Sequence, residues 1–245
     1  MSQSDPSCPV YVGGSQRGML GGDITAHVRV ADLLDHPHLY AVGPGEGVRG
    51  EITVFDSRAY LTRIDGFGEW CVTEISDGGA CFLVWSYVSE WVECAPSQPL
   101  SDLTDLEAAL PVLAREAGLP ETGPIPFLVE ARPSSISLHA LHKPDDSPHS
   151  LQGHHASKVP AKIEGRSVRF VGFFAQKGHG AFTPPDSTVH CHVCTVDDSK
   201  RICGHVDAVC FSGDSVRLFL PARCSGTLDA HGSSSQVGDS GGSDE

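Results

Sequence analysis

The chain has 245 residues, which is room for one large domain or two small ones. Its 17 basic and 31 acidic residues give a net charge of −14, which argues against a nucleic-acid partner and against docking on anionic lipid. The apolar stretches are too short to cross a bilayer, and no signal-peptide pattern opens the sequence. With 40% hydrophobic residues, these features predict a globular, cytoplasmic protein without membrane contact.

Composition divides the chain into four parts. We expect a flexible N-terminus over residues 1–21 and a disordered acidic tail, rich in Ser, Gly and Asp, over residues 225–245. Between them we expect an N-terminal α+β half over residues 22–118 and a C-terminal, β-rich, metal-binding half over residues 119–224.

The N-terminal half reads as a helix followed by strands. Apolar residues at helical spacing predict a short helix that ends before Pro37. A strand beginning at Glu51, a turn at Asp56–Ser57 and a return strand follow. The segments GEWCVTEI and GACFLVWSYV predict two more strands, and the second is apolar on both faces, which favours a place inside a sheet.

Residues 101–118 carry the main helical pattern. Thr104 and Glu107 have the spacing of a capping box, which predicts that the helix begins there. Pro111 is expected to kink or split the helix. The predicted apolar face consists of Leu106, Leu110, Leu113 and Ala117.

The second half reads as short strands separated by turn residues. One long polar loop, residues 143–155, is rich in His, Asp and Ser and is a natural rim for an active site. Strands in sequence with one main helical region predict an α+β fold of two packed antiparallel or mixed sheets.

The segment STVHCHVCTVDDSKRICGHVDAV carries the strongest chemical signal. His190 and His192 point to the same face of a strand. A four-residue hairpin loop at 197–200 would place His192 opposite His205 and His190 opposite Asp207. Cβ atoms about 5 Å apart suit a metal held by imidazole nitrogens at about 2 Å. Three such ligands leave a coordination position open, as in catalytic zinc sites, with Asp207 as an outer carboxylate or further ligand.

The nine cysteines are interpreted as mostly reduced, buried and apolar. The same hairpin register places Cys194 opposite Cys203 on the histidine face, so a structural zinc assisted by cysteine is an alternative. Cys191 and Cys194 point to opposite faces of a strand and cannot share one metal without a bulge. A redox dithiol is disfavoured because such a motif normally opens a helix.

Several other groups are candidates to complete a site. Glu51 follows Gly50 at the start of a strand, and Lys143 and Lys158 are candidate partners for an anionic substrate. The candidate histidines around the polar loop and before the histidine strand are His139, His142, His154, His155 and His179.

Two stretches of the chain resemble the α-acetolactate decarboxylase family. Residues 28–65 share its helix, Gly-rich loop, Gly-Glu dipeptide and hairpin, in that order. Residues 120–212 share its glycine-containing strand, followed by His-x-His and a later Gly-His. The sequence also resembles the plant-and-prokaryote conserved domain, a related fold that need not be an enzyme.

The resemblance implies an α+β fold of two sheets, with Zn²⁺ on His190, His192 and His205 and a carboxylate at Glu51. The implied reaction is decarboxylation of 2-acetolactate to acetoin and CO2. Zinc would act as a Lewis acid for the enediolate left by CO2, and a carboxylic acid would deliver the proton.

The chain departs from the family pattern in three places. The family's substrate-binding arginine is absent from the comparable stretch SLHALHKP, where His142 or Lys143 is the candidate catalytic replacement. A family glutamate near the C-terminus has only Glu245 as a counterpart. The spacing from His192 to His205 is slightly longer than is usual in the family.

Three functions are therefore open. The first is a zinc-dependent carbon–carbon lyase acting on a 2-hydroxy-3-oxo acid, the second a zinc hydrolase of the same fold, and the third a non-catalytic metal- or ligand-binding protein. The expected partner is a small anionic molecule, and a homodimer is one expected assembly.

Overall fold

The computed structural model describes residues 8–145, 147–177, 181–197, 200–212 and 216–222. The predicted acidic tail at 225–245, which includes Glu245, lies outside these residues. The candidate His179 lies outside them as well. None of the helices within them is long and apolar enough to cross a membrane.

Strands dominate the described part of the chain. They are β1 (Tyr11–Gly14), β2 (Val28–Arg29), β3 (Leu39–Pro44), β4 (Glu51–Phe55), β5 (Arg58–Ile64), β6 (Trp70–Ile75), β7 (Gly79–Ala80), β8 (Phe82–Tyr87), β9 (Trp91–Cys94), β10 (Ile125–Ala131), β11 (Ser135–Leu141), β12 (Lys158–Ile163), β13 (Val168–Phe174), β14 (Val189–Thr195), β15 (Cys203–Cys210) and β16 (Arg217–Pro221). The helices are α1 (Gln16–Leu20), α2 (Val30–Leu34), α3 (Leu103–Glu116) and α4 (Leu151–Ala156), with a 3₁₀ turn at Glu46–Val48.

Two large sheets form the frame of the molecule. The smaller has the strand order β1-β8-β3-β4-β5-β6, and the larger has the order β12-β11-β15-β14-β13-β10-β16-β9, while β2 and β7 make a two-stranded sheet. The strand pairs of the described residues are antiparallel. The predicted α+β fold of two sheets is confirmed, and its large sheets are antiparallel.

Apolar side chains join the inner faces of the two large sheets. Val42 and Phe82 of the smaller sheet belong to one buried cluster with Val171 and Phe173 of the larger sheet. Each such side chain contributes about 1.5–3 kcal/mol when it is removed from water. Helix α3 packs on the outer face of the larger sheet, and α2 packs on the outer face of the smaller sheet.

Strand β4 is buried on both faces, which determines where its polar residues go. Ile52 and Val54 pack outward in the cluster beneath α2, so Glu51 and Thr53 face inward, toward the larger sheet. Gly50 brings the chain close to β5 just before Glu51. Its φ is +116°, and a Cβ there would lie 2.2 Å from the carbonyl oxygen of Thr62, so only glycine fits.

Helix α3 differs from its prediction at two points. Its N-cap is Asp102, whose side chain accepts a hydrogen bond from the Asp105 amide at 3.0 Å, so the capping box predicted at Thr104 is wrong. The helix also runs unbroken through Pro111. Leucines on both sides of the proline are buried in the same cluster on the larger sheet, and this packing holds the two halves in one helix.

Several observed elements differ from the division of the chain that composition predicted. Within the predicted flexible N-terminus, β1 pairs with β8 and α1 follows it. Strand β9 and helix α3 fall in the predicted N-terminal half, yet they pack with the larger sheet. The predicted polar loop contains helix α4. These differences arise from long-range pairing and packing, which local composition does not encode.

Candidate metal centre

The hairpin of β14 and β15 forms in the predicted register. His192 pairs with His205 and Cys194 pairs with Cys203. Because β15 also pairs with β11, His139 lies opposite His205 on the other side. The three strands thus carry a row of histidines, His139, His205 and His192, on the face that looks toward the smaller sheet.

Three of the histidines converge closely enough to share one ion. One ring nitrogen from each of His190, His192 and His205 lies within 4.8 Å of the others. Their ring centroids are 5.0 to 5.5 Å apart. His190 and His192 are 5% and 0% exposed, while His205 is partly exposed at the edge of the group. The arrangement offers three neutral nitrogen donors around one point.

Hydrogen bonds orient two of these rings from behind. His190 Nδ1 donates to the carbonyl oxygen of Phe182 at 2.9 Å, which leaves its Nε2 as the nitrogen with a free lone pair. His192 Nδ1 shares a hydrogen bond of 2.9 Å with the hydroxyl of Thr53. His192 Nε2 is then fully buried without a hydrogen-bond partner among the described residues. A buried, orphaned imidazole nitrogen facing two others fits a metal ion.

Glu51 faces this group from the smaller sheet. Its Oε2 lies 3.6 Å from His192 Nε2, and the residue is 2% exposed. Burial raises the pKa of Glu51 to about 8, so in the metal-free protein the group is a neutral carboxylic acid at pH 7. Burial also lowers the pKa of His192 well below its usual value. The contact therefore joins two neutral groups and is not an ion pair.

At acidic pH, the free energy of unfolding of the metal-free protein should depend on its buried imidazoles. Burial lowers the pKa of His190 to about 4 and those of His192 and His205 well below 6.5. Between pH 6.5 and 4 the unfolded chain binds protons that the folded protein excludes. Stability is therefore lost as pH falls through this window, by about 1.4 kcal/mol per pH unit for each fully excluded proton.

Glu51 makes the stability of the metal-free protein depend on pH in the opposite direction. Its pKa of about 8 exceeds the value in the unfolded chain, so the folded protein keeps a proton that the unfolded chain has released, and stability falls as pH rises toward 8. We expect the thermal midpoint of the chelator-treated protein to peak near pH 6.5. Glu51→Gln should remove the alkaline decline alone. A midpoint that is flat from pH 4.5 to 8 would contradict the assignment.

Asp207 does not take the position that the sequence predicted. Strands β14 and β15 separate beyond the His192–His205 pair, so His190 has no partner at Asp207. A bulge opposite Ser137 and Leu138 leaves Asp207 unpaired on β15. Its carboxylate instead accepts from His139 Nδ1 at 2.8 and 2.9 Å.

The structure does not bring His142 and Lys143 to the three histidines. Both line a separate cavity of about 830 Å³ whose lining contains neither these histidines nor Glu51. Lys143 Nζ donates to the carbonyl oxygen of Asp145 at 2.6 Å and to its carboxylate at 2.9 Å. The ammonium group is thus bound by its own loop. His154 and His155 lie on helix α4, where the ring of His154 packs against His149.

Most of the described cysteines are free thiols, as the sequence predicted, but two of them are oxidised. Cys194 and Cys203 form a disulfide, one rung along the hairpin from His192 and His205. Neither sulfur is then a thiolate ligand, so the structural zinc assisted by these cysteines is excluded. Of the other described cysteines, Cys71 and Cys210 are exposed.

The sequence analysis missed the groups supplied by the opposite sheet. Thr53 and Thr62 are both 0% exposed, and they bond to His192 and to the carbonyl oxygen of Cys203, respectively. A threonine alternating with apolar residues is typical of a half-exposed strand, so no local signal marks these contacts. The contact of Thr53 arises where β4, which begins at the Gly-Glu dipeptide, packs across the two sheets on β14, which carries His-x-His.

Comparison with solved structures supports the fold. The chain is similar to a Staphylococcus aureus protein of unknown function described as similar to α-acetolactate decarboxylase, with 16% identity, a TM-score of 0.65 and coverage of 86% of this chain and 84% of that one. It is also similar to the α-acetolactate decarboxylase of Bacillus subtilis strain 168, with 14% identity, a TM-score of 0.65 and coverage of 86% and 85%.

A third similar structure is the acetolactate decarboxylase of Bacillus subtilis subspecies spizizenii, with 13% identity, a TM-score of 0.64 and coverage of 86% of this chain and 85% of that one. No protein-family model matches the sequence, and no curated protein sequence matches it. At these identities the similarity establishes a shared fold.

Proposed function

We propose that this protein is a zinc-dependent decarboxylase that converts 2-acetolactate, or a similar 2-hydroxy-3-oxo acid, to acetoin and CO2. The observation that carries the proposal is the position of Glu51, a buried carboxylic acid that faces three convergent imidazoles across the two sheets. The shared fold with α-acetolactate decarboxylases at a TM-score of 0.65 supports the same chemistry.

The donor set favours zinc over harder ions. Three neutral imidazoles suit Zn²⁺, whereas Mg²⁺ and Ca²⁺ prefer oxygen ligands. His190, His192 and His205 would hold the metal, with Phe182 and Thr53 fixing the rings of the first two. When bound, zinc supplies Lewis acidity toward the oxygens of a hydroxy-keto acid and leaves at least one coordination position open.

The reaction needs a place for one electron pair and a source of one proton. The bond between C2 and the carboxylate breaks, CO2 leaves, and the electron pair moves onto the adjacent carbonyl to give an enediolate. Glu51 would deliver the proton to C2, because its buried carboxyl group faces the three imidazoles that would hold the metal. Deprotonated Glu51 recovers a proton from solvent before the next turnover.

Burial of the surrounding groups keeps bulk water away from this chemistry. Glu51, Thr53 and His192 are each at most 2% exposed, and the ring of Phe82 stacks on His190 with centroids 5.8 Å apart. A site without bulk water strengthens electrostatic stabilisation of the enediolate and restricts its protonation to a positioned acid.

Acetoin formation from racemic 2-acetolactate tests the proposal. We expect the zinc-loaded protein to produce acetoin and His190→Ala to produce none above the uncatalysed rate. Zinc content should be measured on the same samples, so that an inactive protein without zinc is distinguished from an inactive protein that holds it. A wild-type protein that holds one zinc per chain and makes no acetoin, also from homologous 2-hydroxy-3-oxo acids, would contradict the decarboxylase. Ester and lactone hydrolysis would then be examined.

A further inference from the structure

The separation of β14 from β15 opens a slot beside the histidine cluster. The two strands pair only from His192 to Cys194 and from Cys203 to His205, and beyond these residues they diverge. A cavity of about 330 Å³ lies in the gap and reaches His205. Its outer wall comes from helix α3 and from residues 184–187, which precede β14. A small molecule in this cavity therefore contacts the partly exposed member of the cluster.

Lys158 is the single cation among the described residues that line this slot. It is the first residue of β12 and pairs with Leu141, on the face that carries His139. Its side chain is 34% exposed, so the ammonium group lies between solvent and the buried cluster.

The ammonium group of Lys158 forms an ion pair with Asp207 but no hydrogen bond to another described residue. Its Nζ lies 3.7 Å from Asp207 Oδ1, beyond hydrogen-bond distance. Asp207 is itself occupied by His139 Nδ1. The ammonium group of Lys143, by contrast, is hydrogen-bonded, since it donates to the carbonyl oxygen and the carboxylate of Asp145. Lys158 thus retains its donors for a ligand.

Three carboxylates line the slot together with Lys158. Glu107 and Asp186 belong to its outer wall, and Glu107 accepts from the Ser187 hydroxyl and from the Thr188 amide. Asp207 lies beside Lys158 and accepts from His139 Nδ1, so an anionic group is repelled along the outer wall and attracted only at Lys158. Lys158 also acts electrostatically on Glu51, where it favours the ionised form and so lowers the pKa. The cation is therefore close enough to Glu51 to influence it electrostatically.

We propose that this slot is the binding site for the substrate's carboxylate and that Lys158 is the residue that recognises it. The inference rests on the proposed function for the identity of the substrate, but the recognition of a small carboxylate can be tested without turnover. Lys158 is then a specificity-determining residue, which distinguishes a carboxylate from a neutral group of the same shape.

A comparison of two non-reactive ligands isolates this role. The probes are 2-hydroxy-2-methylpropanoate and its uncharged amide, and their dissociation constants are measured by calorimetry on the zinc-loaded protein. The wild type should bind the acid at least about tenfold more tightly than the amide, because the cation and the carboxylate pair in a partly desolvated slot. Lys158→Met should lose most of this preference with unchanged zinc content. Lys158→Arg should retain it, because the charge remains.

Lys162 provides the matched control. It lies four residues further along the same edge strand, on the same face, and is exposed. Lys162→Met should leave the preference for the acid unchanged. In turnover, Lys158→Met should raise KM at least about tenfold with a smaller change in kcat.

The outcomes separate the two proposals. An acid-to-amide ratio unchanged in Lys158→Met, or absent in the wild type, would overturn the assignment of Lys158 whether or not acetoin is formed. A ratio that depends on Lys158 in a protein that makes no acetoin would support carboxylate recognition and contradict the decarboxylase.

Discussion

His192→Ala is expected to remove the metal from the protein. His192 supplies the buried nitrogen that lacks a hydrogen-bond partner among the described residues, and it faces both Glu51 and the other two imidazoles. Loss of an outer-shell partner alone typically weakens metal affinity by about 10- to 100-fold, so loss of a ligand should cost more than about 100-fold. Zinc content after purification and a competition titration with a chromogenic chelator measure the effect.

The control for this prediction must separate lost ligation from lost folding. His192 is 0% exposed, and alanine leaves a cavity between the sheets, so His192→Gln is a second variant that preserves volume and polarity. His155→Ala, on helix α4, changes a histidine outside the cluster and should keep its zinc. Folded His192→Ala and His192→Gln proteins that bind zinc as tightly as the wild type would refute the metal centre.

Glu51→Gln is expected to lower kcat strongly while the zinc remains. The amide is nearly isosteric with the neutral carboxylic acid, so packing against His192 and the main chain is preserved, but the amide does not deliver a proton to C2. General acid catalysis typically contributes about 10²- to 10⁴-fold, and kcat should fall by a factor in this range. The zinc content should stay at the wild-type value.

A matched substitution elsewhere on the surface tests the specificity of this effect. Glu164 is exposed, and Glu164→Gln should leave kcat unchanged. Retained turnover in Glu51→Gln would reduce Glu51 to a structural role. Loss of zinc together with activity would show instead that the carboxyl group supports the metal, and the proton would then need another source.

Much of this architecture is visible in local sequence patterns. The period-two alternation around Glu51 predicts a strand, and β4 begins at that residue. The turn residues after Val196 predict the hairpin, and that register brings His192 opposite His205 and Cys194 opposite Cys203. Local spacing is sufficient here because a short hairpin loop fixes the register of both its strands.

Other features depend on contacts between residues far apart in the chain. Pro111 lies within a continuous helix because the leucines around it pack on one sheet. Asp207 bonds to His139 and does not lie opposite His190 as predicted, because a bulge and the separation of two strands interrupt the simple register. Neither the bulge nor the separation leaves a mark in local hydrophobic periodicity.

The chain's own pattern thus determines a His-x-His strand, its partner histidine and a strand that begins at the Gly-Glu dipeptide. Only the tertiary structure decides that Glu51 and Thr53 face His192, that His142 and Lys143 line another cavity, and that Lys158 lies beside the slot at His205. The physical reason is that spacing along a strand fixes the face to which a side chain points, whereas the group it meets there is fixed by the packing of two sheets.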